Sequence, residues 1–401
     1  MWYLNTLAFG SLSTLALASA SSIHPLGVRQ NGYSSELKPV TAPIKILNSY
    51  STIELLLGTP PQTVDLLFDT GSGPLWVLGP SCAQSCLGPA NRSFFDPSLS
   101  STAQYTARHE TVDYLGGTVS GFVWSDKLTI QNVTFPTPQR FINADFSNWF
   151  ALPAGGFVGL AFPSIALGNT SIYDVLFHPT QIPDHRTGIY LGNASTTASN
   201  TSPPTNGIVT FGGSDEEKYG SEPLKWVDVL PAPAGDEYEI WRVPVGAAKT
   251  SRNGNLTTLN IQPGASAIFD TGAGLISAPE SIIEELYNSL GFNYTAITEG
   301  YRPLCSDVIG YNASLTLTFG EIEVTVTTAD LARPGYTEDQ YCFPPFNPWD
   351  SDRWILGKAF LQSFYSVWDL GGWKVSGVAD VKPRLGLSYL KDEYQPRVSP
   401  V

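Results

Sequence analysis

Apolar residues recur along this chain in short runs, most of them with a spacing of two. Thr52 to Leu57 and Val64 to Phe68 are strand-like runs separated by the turn sequence Gly58-Thr59-Pro60-Pro61. The first strand is expected near Ile46. From Leu315 to Thr327, the apolar residues Leu315, Leu317, Phe319, Ile322, Val324 and Val326 alternate with Thr and Glu, which predicts a hairpin. One clear helix is predicted over Glu280 to Leu290, with Ile282, Ile283, Leu286 and Leu290 on one face. Ser277 with Glu280 fits a capping box for it, and Gly291 fits its terminator. The 37 glycines and 31 prolines suit many turns. The pattern predicts a mostly β protein.

An internal repeat organises the chain. Phe68-Asp69-Thr70-Gly71-Ser72-Gly73 returns as Phe269-Asp270-Thr271-Gly272-Ala273-Gly274. Downstream of each copy comes an apolar-apolar-Gly element, Phe157-Val158-Gly159 and Ile355-Leu356-Gly357, at 90 and 87 positions from its Asp. Two motifs in the same order at nearly the same spacing imply two related halves. The boundary falls between about 200 and 215, giving lobes over 45–205 and 206–390 and a tail over 391–401. The low-complexity stretch 192–206 reads as an exposed loop between two strands, with an interlobe linker as the alternative.

Each Asp of the repeat ends an apolar strand and precedes a glycine that can turn tightly. If the halves pair about a pseudo-twofold axis, two carboxylates meet in a low-dielectric cleft. Both cannot ionise cheaply, so one pKa rises and the pair titrates as a unit. One carboxylate then serves as base towards a shared water while the protonated one polarises a substrate carbonyl, the arrangement for which aspartic proteases are the standard example. A single Asp-Thr-Gly is usually no more than a strand-ending turn; two in matched contexts are a candidate site.

Charge narrows the function further. Asp and Glu outnumber Lys and Arg by 36 to 22, for a net charge of −14, which argues against nucleic acid or an anionic membrane as partner. No Gly-x-Ser-x-Gly elbow occurs. His109-Glu110 begins like a zinc-protease helix, but Asp113 stands where the second His belongs, so no metal is expected. Residues 1–20 resemble a secretory signal, apolar from Trp2 and ending in Ala18-Ser19-Ala20, although no Lys or Arg precedes the apolar run. No later segment is apolar enough to span a bilayer, and the C-terminus lacks the hydrophobic tail of a lipid-anchor signal. Four cysteines in a secreted chain favour disulfides; of three connectivities, Cys82–Cys86 with Cys305–Cys342 is the simplest. Eight glycosylation sequons start at Asn91, Asn132, Asn169, Asn193, Asn200, Asn255, Asn293 and Asn312, and several are expected to carry glycan.

From about residue 45 to 390 the chain resembles the pepsin-like aspartic protease family. The resemblance rests on Gly58-Thr59-Pro60-Pro61-Gln62, on Asp69-Thr70-Gly71-Ser72-Gly73 followed by Leu75-Trp76-Val77, and on Phe95-Asp96-Pro97-Ser98-Leu99-Ser100-Ser101-Thr102. Gly159-Leu160-Ala161-Phe162, Gly212-Gly213-Ser214-Asp215 and Trp354-Ile355-Leu356-Gly357 extend it. It implies a two-lobed acid-protease fold with a central cleft and a secreted, monomeric endopeptidase working without cofactor on extended polypeptides, apolar residues being preferred beside the cut bond. A vacuolar or lysosomal lumen is the alternative destination. The resemblance makes Asp69 and Asp270 catalytic. Gly71 and Gly272 would hold the carboxylates, Ser72 would bond the outer oxygen of Asp69, and Thr70 and Thr271 would lock the two turns together. Tyr114, in Asp113-Tyr114-Leu115-Gly116-Gly117-Thr118, would be the flap tyrosine, with its hydroxyl bonding Trp76; Leu67 and Phe157 would line the substrate cleft. Both disulfide pairings agree with the family. Three departures stand out: Ala273 replaces a common hydroxyl residue, Leu115 replaces the usual glycine after the flap tyrosine, and the pro-segment at 21–44 is short. Arg29 and Lys38 are the candidates to neutralise the dyad in a zymogen, with a disordered tail as the alternative. A non-catalytic binding homologue is the rival reading, weakened because both Asp-Thr-Gly triplets are intact.

Overall fold

The structure is a computed structural model and describes residues 37–47, 50–86, 88, 91–149, 152–177, 182–192, 206–332, 340–372 and 382–396. The described chain is mostly strand with few and short helices, as the spacing of its apolar residues requires. The strands Tyr50–Leu57 and Gln62–Asp69 pair antiparallel across the Gly58–Pro61 turn, and Ala313–Phe319 pairs with Ile322–Thr327 as a hairpin. The expected signal segment, Arg29, and the sequons at Asn193 and Asn200 lie outside the described residues.

The two halves carry the same crossing. In the first, Gln62–Asp69 runs parallel to Gly156–Gly159, which is antiparallel to Leu75–Leu78. In the second, Ser266–Phe269 runs parallel to Arg353–Leu356, which is antiparallel to Ile276–Pro279. The crossing is tight: a Cβ on Gly159 would sit 2.3 Å from the Gly73 carbonyl carbon, and one on Gly357 would sit 2.3 Å from the Leu275 oxygen. The apolar-apolar-Gly elements therefore need their glycine for close backbone approach.

The sheet that holds the first crossing continues past Tyr50–Leu57 and draws on both halves. From its far edge the strands run in the order Lys225–Asp228, Arg384–Tyr389, Phe364–Asp369, Arg186–Gly192, Asn206–Phe211 and Val40–Leu47, which then pairs with Tyr50–Leu57. Arg186–Gly192 and Asn206–Phe211, which flank the low-complexity stretch, pair antiparallel with each other. The first strand begins at Val40, not near Ile46, and so occupies part of the span read as pro-segment or tail. Val40 to Pro43 pair with Ile208 to Phe211, which supplies backbone partners that local pattern does not reveal. One large apolar core extends through both halves, with Phe68, Leu75, Val158, Phe269, Ile276 and Leu356 among its fully buried members. A smaller cluster behind the first Asp turn holds Leu67, Trp76, Val119, Ile142 and Phe157.

The helix Glu280–Leu290 buries Ile282, Ile283, Leu286 and Leu290, and ends on Gly291 at φ 103°. Its N-cap is Pro279, and no capping box forms. Ser277 is instead part of the strand Ile276–Pro279, paired with Asn347 and Ile355, and is not free to cap. Disulfides join Cys82 to Cys86 and Cys305 to Cys342, with Cα–Cα distances of 4.7 and 4.9 Å.

Candidate active site

The two Asp-Thr-Gly turns meet at the junction of the halves. Thr70 donates its backbone N–H to Thr271 Oγ1 (3.0 Å), and Thr271 donates its own to Thr70 Oγ1 (2.9 Å). Each hydroxyl then donates to the opposite strand, Thr70 Oγ1 to the Phe269 carbonyl (3.0 Å) and Thr271 Oγ1 to the Phe68 carbonyl (2.9 Å). Both threonines are buried, so these bonds run in a low-dielectric interior.

This grip sets the carboxyl groups face to face. A Cβ on Gly71 would lie 2.6 Å from the Asp270 carboxyl carbon, and one on Gly272 would lie 2.5 Å from Asp69 Oδ1. Each glycine thus lets the opposite carboxyl approach. The Gly71 and Gly272 N–H groups donate to Oδ1 of Asp69 (2.9 Å) and Asp270 (2.8 Å). Ser72 Oγ donates to Asp69 Oδ2 at 2.5 Å. At the equivalent place beside Asp270, Ala273 offers only its N–H, to Oδ1 at 3.2 Å. Asp69 is 5 % exposed, and Asp270 is half-buried by accessible area but has its carboxyl enclosed by protein. Burial pushes the Asp270 carboxyl well above the usual carboxylate range. The charge of Asp69 and hydrogen bonding with its carboxyl push the same way, against the N–H groups of Gly272 and Ala273.

Over this pair stands the hairpin of Gln104–Tyr114 and Gly117–Asp126. Tyr114 turns its hydroxyl inward, and burial first, then the Asp69 charge, raises its pKa. The hydroxyl faces Ser72 and Trp76, yet no hydrogen bond of proper geometry closes to Trp76 Nε1; both atoms are buried without a partner among the described residues. The ring is instead held by aromatic contacts, 5.1 Å to Phe157 and 5.8 Å edge-on to Trp149. Trp76 stacks on Phe157 at 5.1 Å. Leu67, directly across from Phe157 in the strand register, completes this apolar wall.

Nothing in the sequence marks Trp149. It follows the strand Gln139–Ser147 in an aperiodic stretch, and only its place beside Tyr114 and Phe157 reveals it. Among the described residues no group of three or more His, Cys, Asp or Glu side chains stands at metal-binding spacing, and no helix is long and apolar enough to cross a membrane. Asn91, Asn132, Asn169, Asn255, Asn293 and Asn312 are exposed, as is Lys38.

Comparison with known proteins agrees with this geometry. The family model described as eukaryotic aspartyl protease matches residues 49–381. The chain is 28 % identical to cathepsin E of Mus musculus over 372 residues, covering 88 % of this chain and 85 % of the relative. It is 30 % identical to gastricsin of Suncus murinus over 334 residues (80 % and 79 %) and 29 % identical to embryonic pepsinogen of Gallus gallus over 330 residues (80 % and 77 %). With a match of that extent and two Asp-Thr-Gly turns gripped together at the centre of the fold, the chain belongs to the eukaryotic aspartyl protease family as a pepsin-like aspartic endopeptidase.

Proposed function

We propose that Asp69 and Asp270 are the catalytic pair, cutting peptide bonds with a water held between them. The observation that carries this reading is the mutual approach of each carboxyl to the other turn's glycine. The environments of the two divide the work. Asp69 is held by two donors, Gly71 N–H and Ser72 Oγ, and serves as the base that takes the water's proton. Asp270, whose ionised form is disfavoured by burial beside Asp69, keeps its proton and donates it in a hydrogen bond to the substrate carbonyl. Water then adds to the carbonyl carbon, and collapse of the tetrahedral intermediate returns a proton to the leaving amine.

Leu67, Tyr114 and Phe157 form an apolar and aromatic wall beside the pair, which supports a preference for apolar side chains next to the cut bond. The apolar N-terminal run supports secretion, and the exposed sequon asparagines support glycan attachment. The enzyme works as a monomer, with a first lobe that begins with the strand at Val40 and runs to about 205 and a second over 206–390.

The test is hydrolysis of acid-denatured haemoglobin from pH 2.5 to 7 by the purified protein, Asp69→Asn and Asp270→Asn. Acid-side cleavage lost in both variants supports the pair. Cleavage that survives both substitutions places the chemistry elsewhere, and no cleavage by the unaltered, fully processed chain favours a binding role.

A further inference from the structure

The hairpin over the site has an unusual support. Its second strand, Gly117–Asp126, is flanked by Gln139–Ser147 only as far as the pair Val119–Ser147. Beyond that point, Asn148 and Trp149 take over. The Asn148 N–H donates to the Thr118 carbonyl (3.2 Å), and Asn148 Oδ1 accepts the Thr118 N–H (2.6 Å), which extends the ladder by one residue through a side chain. Trp149 then lays its indole beneath the turn. A Cβ on Gly116 would lie 2.5 Å from Trp149 Cη2 and 2.6 Å from Cζ3. Gly116 does not sit in the left-handed region, so its own backbone does not demand glycine; the ring does. The indole also meets Phe157 at 5.2 Å and Tyr114 at 5.8 Å. Leu115, at the tip, is 84 % exposed and adds no support.

We propose that Asn148 and Trp149 are positioning residues that set the height of the flap over the cleft, with the six-membered ring of Trp149 acting as a spacer between Phe157 and Gly116. This rests on the reading of Asp69 and Asp270 as the catalytic pair. Close packing makes such a spacer sensitive to a single methyl group. A side chain on Gly116 meets the far edge of the indole and lifts the turn, carrying Tyr114 away from the substrate. A phenyl ring at 149 lacks that far edge and leaves room.

The experiment is a double-mutant cycle of Gly116→Ala and Trp149→Phe, read as kcat and KM on a fluorogenic octapeptide and as melting temperature. Gly116→Ala is expected to lower kcat/KM at least tenfold in the otherwise unaltered chain and less than twofold in the Trp149→Phe chain. All four proteins should melt within 2 °C of one another. A purely structural role would move melting temperature without this rescue. Equal losses in both backgrounds, or no loss from Gly116→Ala alone, overturn the proposal. If Gly116→Ala does not fold, the same cycle is read on soluble yield: recovery with Trp149→Phe supports the spacer and equal failure refutes it. Asp69→Asn and Asp270→Asn are assayed alongside. If they retain activity, the dyad reading fails whatever the cycle shows.

Discussion

The asymmetry between Ser72 and Ala273 predicts how the proposed pair responds to pH. The two residues hold equivalent places, three positions after their aspartates, but only Ser72 gives its carboxyl a hydroxyl donor. Replacing Ala273 with Ser should place a matching Oγ–H against Asp270. A hydrogen bond to a charged group contributes about 1.5–3 kcal/mol, and each ~1.4 kcal/mol of preference for the ionised form moves a titration by about one pH unit. On the proposed mechanism activity requires Asp270 protonated, so the alkaline limb of kcat/KM marks loss of that proton. Stabilising the ionised form lowers that limb, and Ala273→Ser should shift it by about 1 to 2 pH units towards acid, with the acid limb moved less because the pair titrates together. The assay is kcat/KM for one peptide substrate from pH 2 to 8 at constant ionic strength. An alkaline limb unmoved by Ala273→Ser, in a variant that melts with the unaltered protein, would refute the reasoning.

Further outcomes follow from the same geometry. Thr271→Val keeps the side-chain shape but leaves the Phe68 carbonyl and the Thr70 N–H without these buried partners, at about 1–3 kcal/mol each; calorimetry should show melting lowered by at least ~2 °C. The folded-state pKa of Asp270 lies above its unfolded value, so the group favours folding below the unfolded value, and that contribution is lost as pH rises through the folded one. In Asp270→Asn, the urea midpoint should therefore fall less between pH 4 and 7 than in the unaltered chain. Opening Cys305–Cys342 by serine replacement frees a 37-residue loop and should destabilise by ~4 kcal/mol, against ~2 for Cys82–Cys86 with its separation of 4, as measured by denaturant unfolding.

What could be read from the sequence was what depends on short-range patterns. The repeat announced two related halves because the same strand-turn chemistry must be written twice to build the crossing twice. The aspartates announced themselves because Asp-Thr-Gly at a strand end is an ordinary turn when it occurs once, and a matched pair of carboxylates when the whole strand-turn context is duplicated. The strand at Val40 was hidden because Val40 to Pro43 become a strand only through partners at Ile208 to Phe211. The capping box at Ser277 failed for a related reason: the local signal was genuine, but pairing with Asn347 and Ile355 claimed the backbone first. Trp149 carried no signal at all, since a lone aromatic after a strand takes its meaning from rings at Tyr114 and Phe157 that the fold alone brings near.

The threonine grip also has a consequence in time. Its bonds join residues 199 to 203 positions apart, so nothing resembling a working site exists while only the first half has been made. At ~5–20 residues per second, the ribosome adds Asp270 roughly 10 to 40 s after Asp69. The sheet shared by both halves delays matters further, because strands from Phe364 to Tyr389 must join those from Val40 and Arg186. With Asp69 and Asp270 as the proposed pair, the order of synthesis means that an emerging chain has no assembled site with which to cut itself or its neighbours during translation.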